Sequence, residues 1–232
     1  MLCRPRLLAS LLGLSFPLIH ELVAGVLLTD SYKFAEWQLM QEEGPNWDSY
    51  AKAQALAKLL WVENEMFSPR VIELASSVAH ESLVEMEVLC DLFDDGLGLL
   101  DFDVARLIAH YVDDISIDHN WVIERSGSSN VLTYRTLERN AGNPTYTRLN
   151  EEGRVRLRET AAAAGYPNMF TRGETTYEAQ NRVGRRVESV LAILLRRRHG
   201  WFESLDLPVI IDNQLRAEIN RIHKLRFGEA VG

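Results

Sequence analysis

Cysteine is scarce in this chain. Its two cysteines, Cys3 and Cys90, stand far apart and show no metal-ligand spacing. The pattern gives no disulfide scaffold and no zinc site, so two reduced thiols in a cytoplasmic protein are expected. Long apolar runs are also lacking. Arg4 and Arg6 precede Leu7-Leu8-Ala9-Ser10-Leu11-Leu12-Gly13-Leu14, a charged start before an apolar stretch, as in a signal peptide. Pro17, His20 and Glu21 interrupt this stretch before it reaches the roughly 20 apolar residues a membrane span needs. The segment therefore reads as a buried helix or as a docking surface for a partner subunit, with Leu11, Leu12 and Leu14 as contact residues. No membrane partner is expected.

Motifs for common chemistries are missing too. There is no Gly-x-Gly-x-x-Gly, no phosphate-loop lysine and no serine in a nucleophile-elbow phrase. His20-Glu21 and His80-Glu81 lack the second histidine that a zinc-protease helix places four residues after the first. No cofactor and no small-molecule substrate is implied.

Charge is distributed very unevenly. Residues 1–120 carry 7 Lys+Arg against 20 Asp+Glu, a net of −13; residues 121–232 carry 18 against 13, a net of +5. Lys224 is the one lysine among the 18 basic residues of the second half. Such a split implies two surfaces with different partners, or two halves that attract each other. The hydrophobic fraction of 47% is that of an ordinary globular protein, and 232 residues bury a core without staples.

Periodicity points to a mainly α chain. Helix-compatible stretches cover 18–43 and 48–65. Ser68-Pro69 is a strong start, since serine caps exposed amides and proline suits the first helical position. Asp94-Asp95-Gly96 is a stop, and Asp101 or Asp103 can cap a helix over 103–113. A short helix is expected over 118–125. Val131–Leu137, rich in β-branched and aromatic residues, reads as a strand, Ala141-Gly142-Asn143-Pro144 as a turn, and Thr145–Leu149 as the returning strand of an antiparallel hairpin. Helices over 151–164, 176–198 and 211–226 follow. In the second of these, Val183, Val187, Val190, Leu191 and Leu194 give the clearest amphipathic stripe of the chain. The fold expected is thus mainly α with a small antiparallel β-hairpin. It divides into an acidic helical region (1–96), a segment of 97–165 and a C-terminal helical extension (166–232).

The order helix, short helix, strand, turn, strand, helix across roughly 100–165 resembles a winged-helix domain. The resemblance concentrates in Tyr146-Thr147-Arg148-Leu149-Asn150-Glu151-Glu152-Gly153-Arg154, a strand end followed at once by a capped helix. It implies contact with double-stranded DNA or with protein. A recognition helix around His119, Asn120 and Arg125 would enter the major groove, with Arg135, Arg139 and Arg148 on the wing. Asp113, Asp114 and Asp118 would repel phosphates there, which keeps a degenerate, protein-binding winged helix open.

Arg154, Arg185 and Arg186 complete the candidate phosphate contacts, because guanidinium forks suit phosphate. A solvated face, or docking onto the chain's own acidic half, accounts for the same residues. Trp201-Phe202 is a candidate partner contact. The leading expectation is a non-catalytic accessory subunit of a DNA-associated complex, for which antiviral defence would be a natural setting. It would touch DNA through its arginines and a protein partner through its N-terminal helices. One alternative is a pure protein–protein adaptor. Another is a metal-dependent enzyme built on His110, Asp113, Asp114, Asp118 and His119, since helical positions 110, 113 and 114 share a face.

Overall fold

The structure, a computed structural model, describes residues 3–29, 38–39, 41–44, 67–78, 82–126, 129–136, 144–170, 173–174 and 176–200, and positions 52, 58–59, 62–63, 65, 207, 211, 213, 217, 221 and 224. Over 114–150, and at Cys3, Thr176, Tyr177 and Asn181, it is the backbone alone that is described. In chain order the elements are α1 (Cys3–Leu12), α2 (Phe16–Leu28), α3 (Pro69–Ser76), α4 (Leu83–Asp94), α5 (Asp101–Asp118), β1 (His119–Ser126), β2 (Ser129–Thr136), α6 (Pro144–Ala163) and α7 (Thr176–His199).

The bundle is organised around α5. Val104, Ala105 and Leu107–Val112 are all buried, so this helix has no solvent face along its middle. A helix that is apolar on every side has to be enclosed by others. Here α1, α2, α3, α4 and α7 all pack on it. Its start is set by Asp103, whose carboxylate accepts the Leu100 amide at 3.1 Å, the reach-back half of a capping box. Asp101 and Asp103 also place negative charge at the positive end of the helix. At α3, Ser68 Oγ accepts the Val71 amide at 3.3 Å and Pro69 takes the first helical position.

A single core joins the two halves of the chain. Leu8 and Leu12 of α1, Leu22 of α2, Met86 and Leu89 of α4, Leu157 of α6 and Val183, Val187 and Leu191 of α7 belong to the same buried cluster. That cluster therefore spans residues 96 and 165. The α7 stripe faces inward as its spacing requires. Leu195 is fully buried, and Leu194 is partly buried against the core.

The hairpin expected from the sequence is corrected by this structure. Residues 145–149 are not a returning strand; they lie in the first turns of α6, which begins at Pro144. Residues 119–125 are not a short helix but the strand β1, and Asp118 ends α5. Where side chains are described, the regular structure is all helical. Backbone pairing occurs upstream of the expected place, with β1 antiparallel to β2 and Trp121 opposite Tyr134, Ile123 opposite Leu132. The element order that carries the winged-helix resemblance is thus not the order found over 101–163. Pro144 explains part of the difference: its fixed φ suits a helix start as well as a turn. The threonines at 145 and 147 express only a weak local preference, which helix packing overrides. The expected helices over 48–65 and 211–226 and the 141–143 turn lie largely outside the described residues.

Helix α2 crosses α3 closely at Gly25. A Cβ added at Gly25 would stand 2.7 Å from Leu74 Cβ and 3.2 Å from the Val71 carbonyl and Ala75 amide. Exchanging glycine for alanine in a helix normally gains up to about 1 kcal/mol. Overpacking a crossing costs about 1–3 kcal/mol. The second effect should win here. Gly25→Ala is expected to lower Tm by about 2–4 °C in a thermal melt, whereas a raised Tm would show that the crossing yields freely.

Candidate functional site

The densest polar constellation lies where α4 packs on α7. On α4, Glu87, Asp91 and Asp94 recur at i, i+4 and i+7, which places three carboxylates on one face. On α7, Arg182 and Arg186 recur at i, i+4. The stripes meet. Arg186 Nη1 donates to Glu87 Oε2 at 2.6 Å, and its Nη2 donates to Asp91 Oδ1 at 2.8 Å and Asp94 Oδ2 at 2.6 Å. Arg182 Nη1 donates to the other oxygen of Glu87. Its Nε donates to Glu174 Oε1 at 2.9 Å, and its Nη2 reaches the Met169 carbonyl at 3.4 Å.

Glu87 is the pivot. Its side chain is 3% exposed, and both oxygens are taken by guanidinium groups. A carboxylate that deep stays charged only if partners replace its water. Burial works against the charge on Arg186, but hydrogen bonds to Asp91 and Asp94 and the field of Glu87 outweigh it and hold the guanidinium above its ordinary range. Cys90 sits on the same helix, and burial pushes its thiol up to about 12. A thiol so reluctant to ionise is a core residue and not a nucleophile. A cavity of about 260 Å³ opens beside the network, between Glu87, Asp91 and Arg186 on one side and Tyr166–Met169 on the other.

A smaller knot ties α3, α4 and α5. Arg106 Nε donates to Ser77 Oγ at 3.1 Å and lies 3.7 Å from Glu73, while Nη2 pairs with Glu85. One turn on, His110 is fully buried, with Nδ1 3.2 Å from the Ser77 carbonyl. A carbonyl only accepts, so Nδ1 carries the proton. Nε2 is buried with no hydrogen-bond partner among the described residues. Burial pushes the imidazole down to about 4, against the opposing pull of the Ser77 carbonyl.

The arginines expected to touch phosphate fall in several places. Arg186 is bound in the network, and Arg154 pairs with Glu151 of its own helix. Arg185 is exposed. Arg125 on β1 is opposite Asn130, and Arg135 on β2 is opposite Asn120. Arg148 lies in α6 and not on a wing strand. Arg139, Trp201 and Phe202 lie outside the described residues. The contact residues expected near the N-terminus are used internally: Leu12 and Leu14 are buried, and Leu11 is partly buried against the core. Their turn is sealed by α7. Gly13, at φ +72, lies under the Arg198 guanidinium with no room for a Cβ, and His199 Nε2 is 2.6 Å from the Leu11 carbonyl.

The chain matches no family model, no curated protein and no solved structure.

The metal reading gains no support from the geometry. The described residues contain no group of three His, Cys, Asp or Glu placed to hold an ion. Nδ1 of His110 is committed to Ser77, and His119 begins β1. No helix among the described residues is long and apolar enough to cross a membrane. The network is what sequence reading left unassembled, although a signal was present. Acidic residues at i, i+4 and i+7 on one helix match basic residues at i, i+4 on another.

Two measurements check this account. Arg186→Met leaves a buried carboxylate short of a partner and should cost about 3 kcal/mol in urea unfolding. Arg185→Met, one residue away but exposed, should change stability by less than about 0.5 kcal/mol; equal effects would remove the network's structural role. The second concerns pH. His110 is neutral when folded, with its pKa lowered to about 4 from an ordinary 6.5. The unfolded chain therefore takes up a proton first as pH falls, and stability drops below about pH 6.5. Between neutrality and about pH 5 the loss should be about 2 kcal/mol. His110→Asn should lack that portion, and parallel pH profiles for the two proteins would contradict it.

Proposed function

We propose that the protein is a helical protein–protein adaptor, in which arginines of the basic half bind the acidic half of the same chain and do not form a phosphate-contacting face. One observation carries this reading. Arg186, a central candidate for DNA contact, has its donors spent on Glu87, Asp91 and Asp94. Turning it to a phosphate would break three charge-assisted hydrogen bonds and strand a buried carboxylate. Arg182 is bound similarly, and Arg154 is paired within α6.

The reading as a DNA-contacting accessory subunit keeps one observation in its favour. Arg185 and Arg196 are both exposed and lie on one face of α7, eleven residues apart, and Arg197 and Arg198 are exposed beside them. Phosphate contact through these residues would follow the counterion-release rule.

The discriminating experiment is fluorescence anisotropy of a labelled DNA duplex across a salt series. The adaptor reading expects no micromolar binding even at low salt. Micromolar binding that falls steeply with salt, and weakens in an Arg185→Glu/Arg196→Glu variant, would overturn it in favour of the DNA-contacting subunit.

A further inference from the structure

A second, larger cleft lies away from the ion-pair network. Its volume is about 820 Å³, within the range of built ligand sites, and it is lined by Lys58, Val62, Glu65 and Phe67, by residues of α3, and by Glu85 and Arg106. We propose that this cleft is the docking site for a basic amphipathic helix of a partner protein. The proposal rests on the adaptor reading and names the chemistry of the partner.

Three observations converge on that occupant. The first is apolar surface left open. Val62, Phe67 and Ile72 line the cleft, and Val62 is 55% exposed. Leu59, three residues before it, is 52% exposed. An amphipathic helix covers such a strip with anchors one turn apart.

The second is the sign of the accessible charge. Glu65, Glu73 and Glu85 face the cleft against Lys58 and Arg106. Arg106 is only 14% exposed, and its donors are already taken by Ser77 and Glu85 with Glu73 alongside. Glu73 and Glu85 are 51% and 61% exposed despite those contacts. Counting Lys58 and Arg106 against the three glutamates, the lining carries a net charge of −1. A phosphate or a nucleic-acid strand would be repelled, while lysine or arginine flanking an apolar anchor would be drawn in.

The third is local backbone. Glu65 has φ +49, and it is the only non-glycine among the described residues in the left-handed region. A glutamate tolerates that conformation poorly. Such strain persists where surrounding structure fixes it, and ligand clamps are a common setting.

The test uses the full chain and a fluorescein-labelled synthetic Leu/Lys amphipathic helix of about 18 residues, read by anisotropy. Micromolar binding is expected, with a Leu/Glu peptide of the same pattern failing to bind. Glu65→Lys/Glu73→Lys should weaken binding roughly tenfold, about 0.7 kcal/mol for each reversed charge. Glu42→Lys/Asp95→Lys changes net charge equally but leaves the cleft intact, and should bind as the wild type does. Leu59→Ser/Val62→Ser should also weaken binding, with thermal melts confirming that each variant is folded. Equal weakening by both charge variants would reduce the effect to the overall charge of the chain and overturn the proposal. So would equal binding of both peptides, or sedimentation showing that a second copy fills the cleft. Loss of the proposal by these routes leaves the adaptor reading standing, because that reading falls only to salt-sensitive DNA binding.

Discussion

Glu87 imposes the strongest constraint on this fold. A carboxylate at 3% exposure has no water to solvate it, so its position depends on two guanidinium groups arriving from a helix 95 residues later in the chain. Those groups arrive together only if α7 lies along α4 in one register. Hydrophobic packing between the two helices is directionless and would tolerate a slide of one turn. The ion pairs would not, because a slide leaves a charge buried without a partner. The network therefore adds little net stability over an apolar interface of the same size, yet it specifies the pairing. Its coupling then spreads: Arg182 ties the stretch before α7 through Glu174 and the Met169 carbonyl, and Arg186 neutralises Asp94 at the end of α4, where the helix dipole disfavours an acid.

The same helix finishes the other end of the bundle. Arg197 lies over the Phe93 ring at 4.8 Å, Arg198 covers Gly13, and His199 meets the Leu11 carbonyl. The C-terminal ends of α1, α4 and α7 thus come together, each carrying partial negative charge from unpaired carbonyls. Cations at that point suit the converging dipoles.

Much of the scaffold was legible in the residues, and the reason is local physics. The inward stripe of α7 follows from its spacing, and the start of α3 from Ser68-Pro69. Both signals are complete within a few residues. The hairpin was misread because 131–149 offers conflicting local cues, with β-branched residues on both sides of a proline that also opens helices. The ion-pair network was less legible for a different reason. Each stripe is visible alone, but pairing them needs the tertiary register, which no window of sequence contains. Leu11, Leu12 and Leu14 fail as an exposed surface for the same reason, since only the arrival of α7 shows that they are already covered.

The charge asymmetry takes on a specific meaning once these contacts are assigned. Part of the basic half turns inward: Arg182 and Arg186 are spent on the α4 carboxylates, Arg197 lies over the Phe93 ring, Arg198 covers Gly13 and His199 meets the Leu11 carbonyl. The acidic half is neutralised only where α7 reaches it. The cleft beside α3 has its own cations: Arg70 pairs with Glu21, Arg106 with Glu73 and Glu85, and Lys58 lines it beside three glutamates. Negative charge therefore remains where the chain also leaves Leu59 and Val62 uncovered. Like charges left uncompensated cost stability through self-repulsion, and uncovered apolar surface beside them favours association. A partner that brings both a cation and an apolar face would relieve the two together, and this is the physical ground on which we propose the acidic cleft, ahead of the arginine-rich helices, as a docking surface.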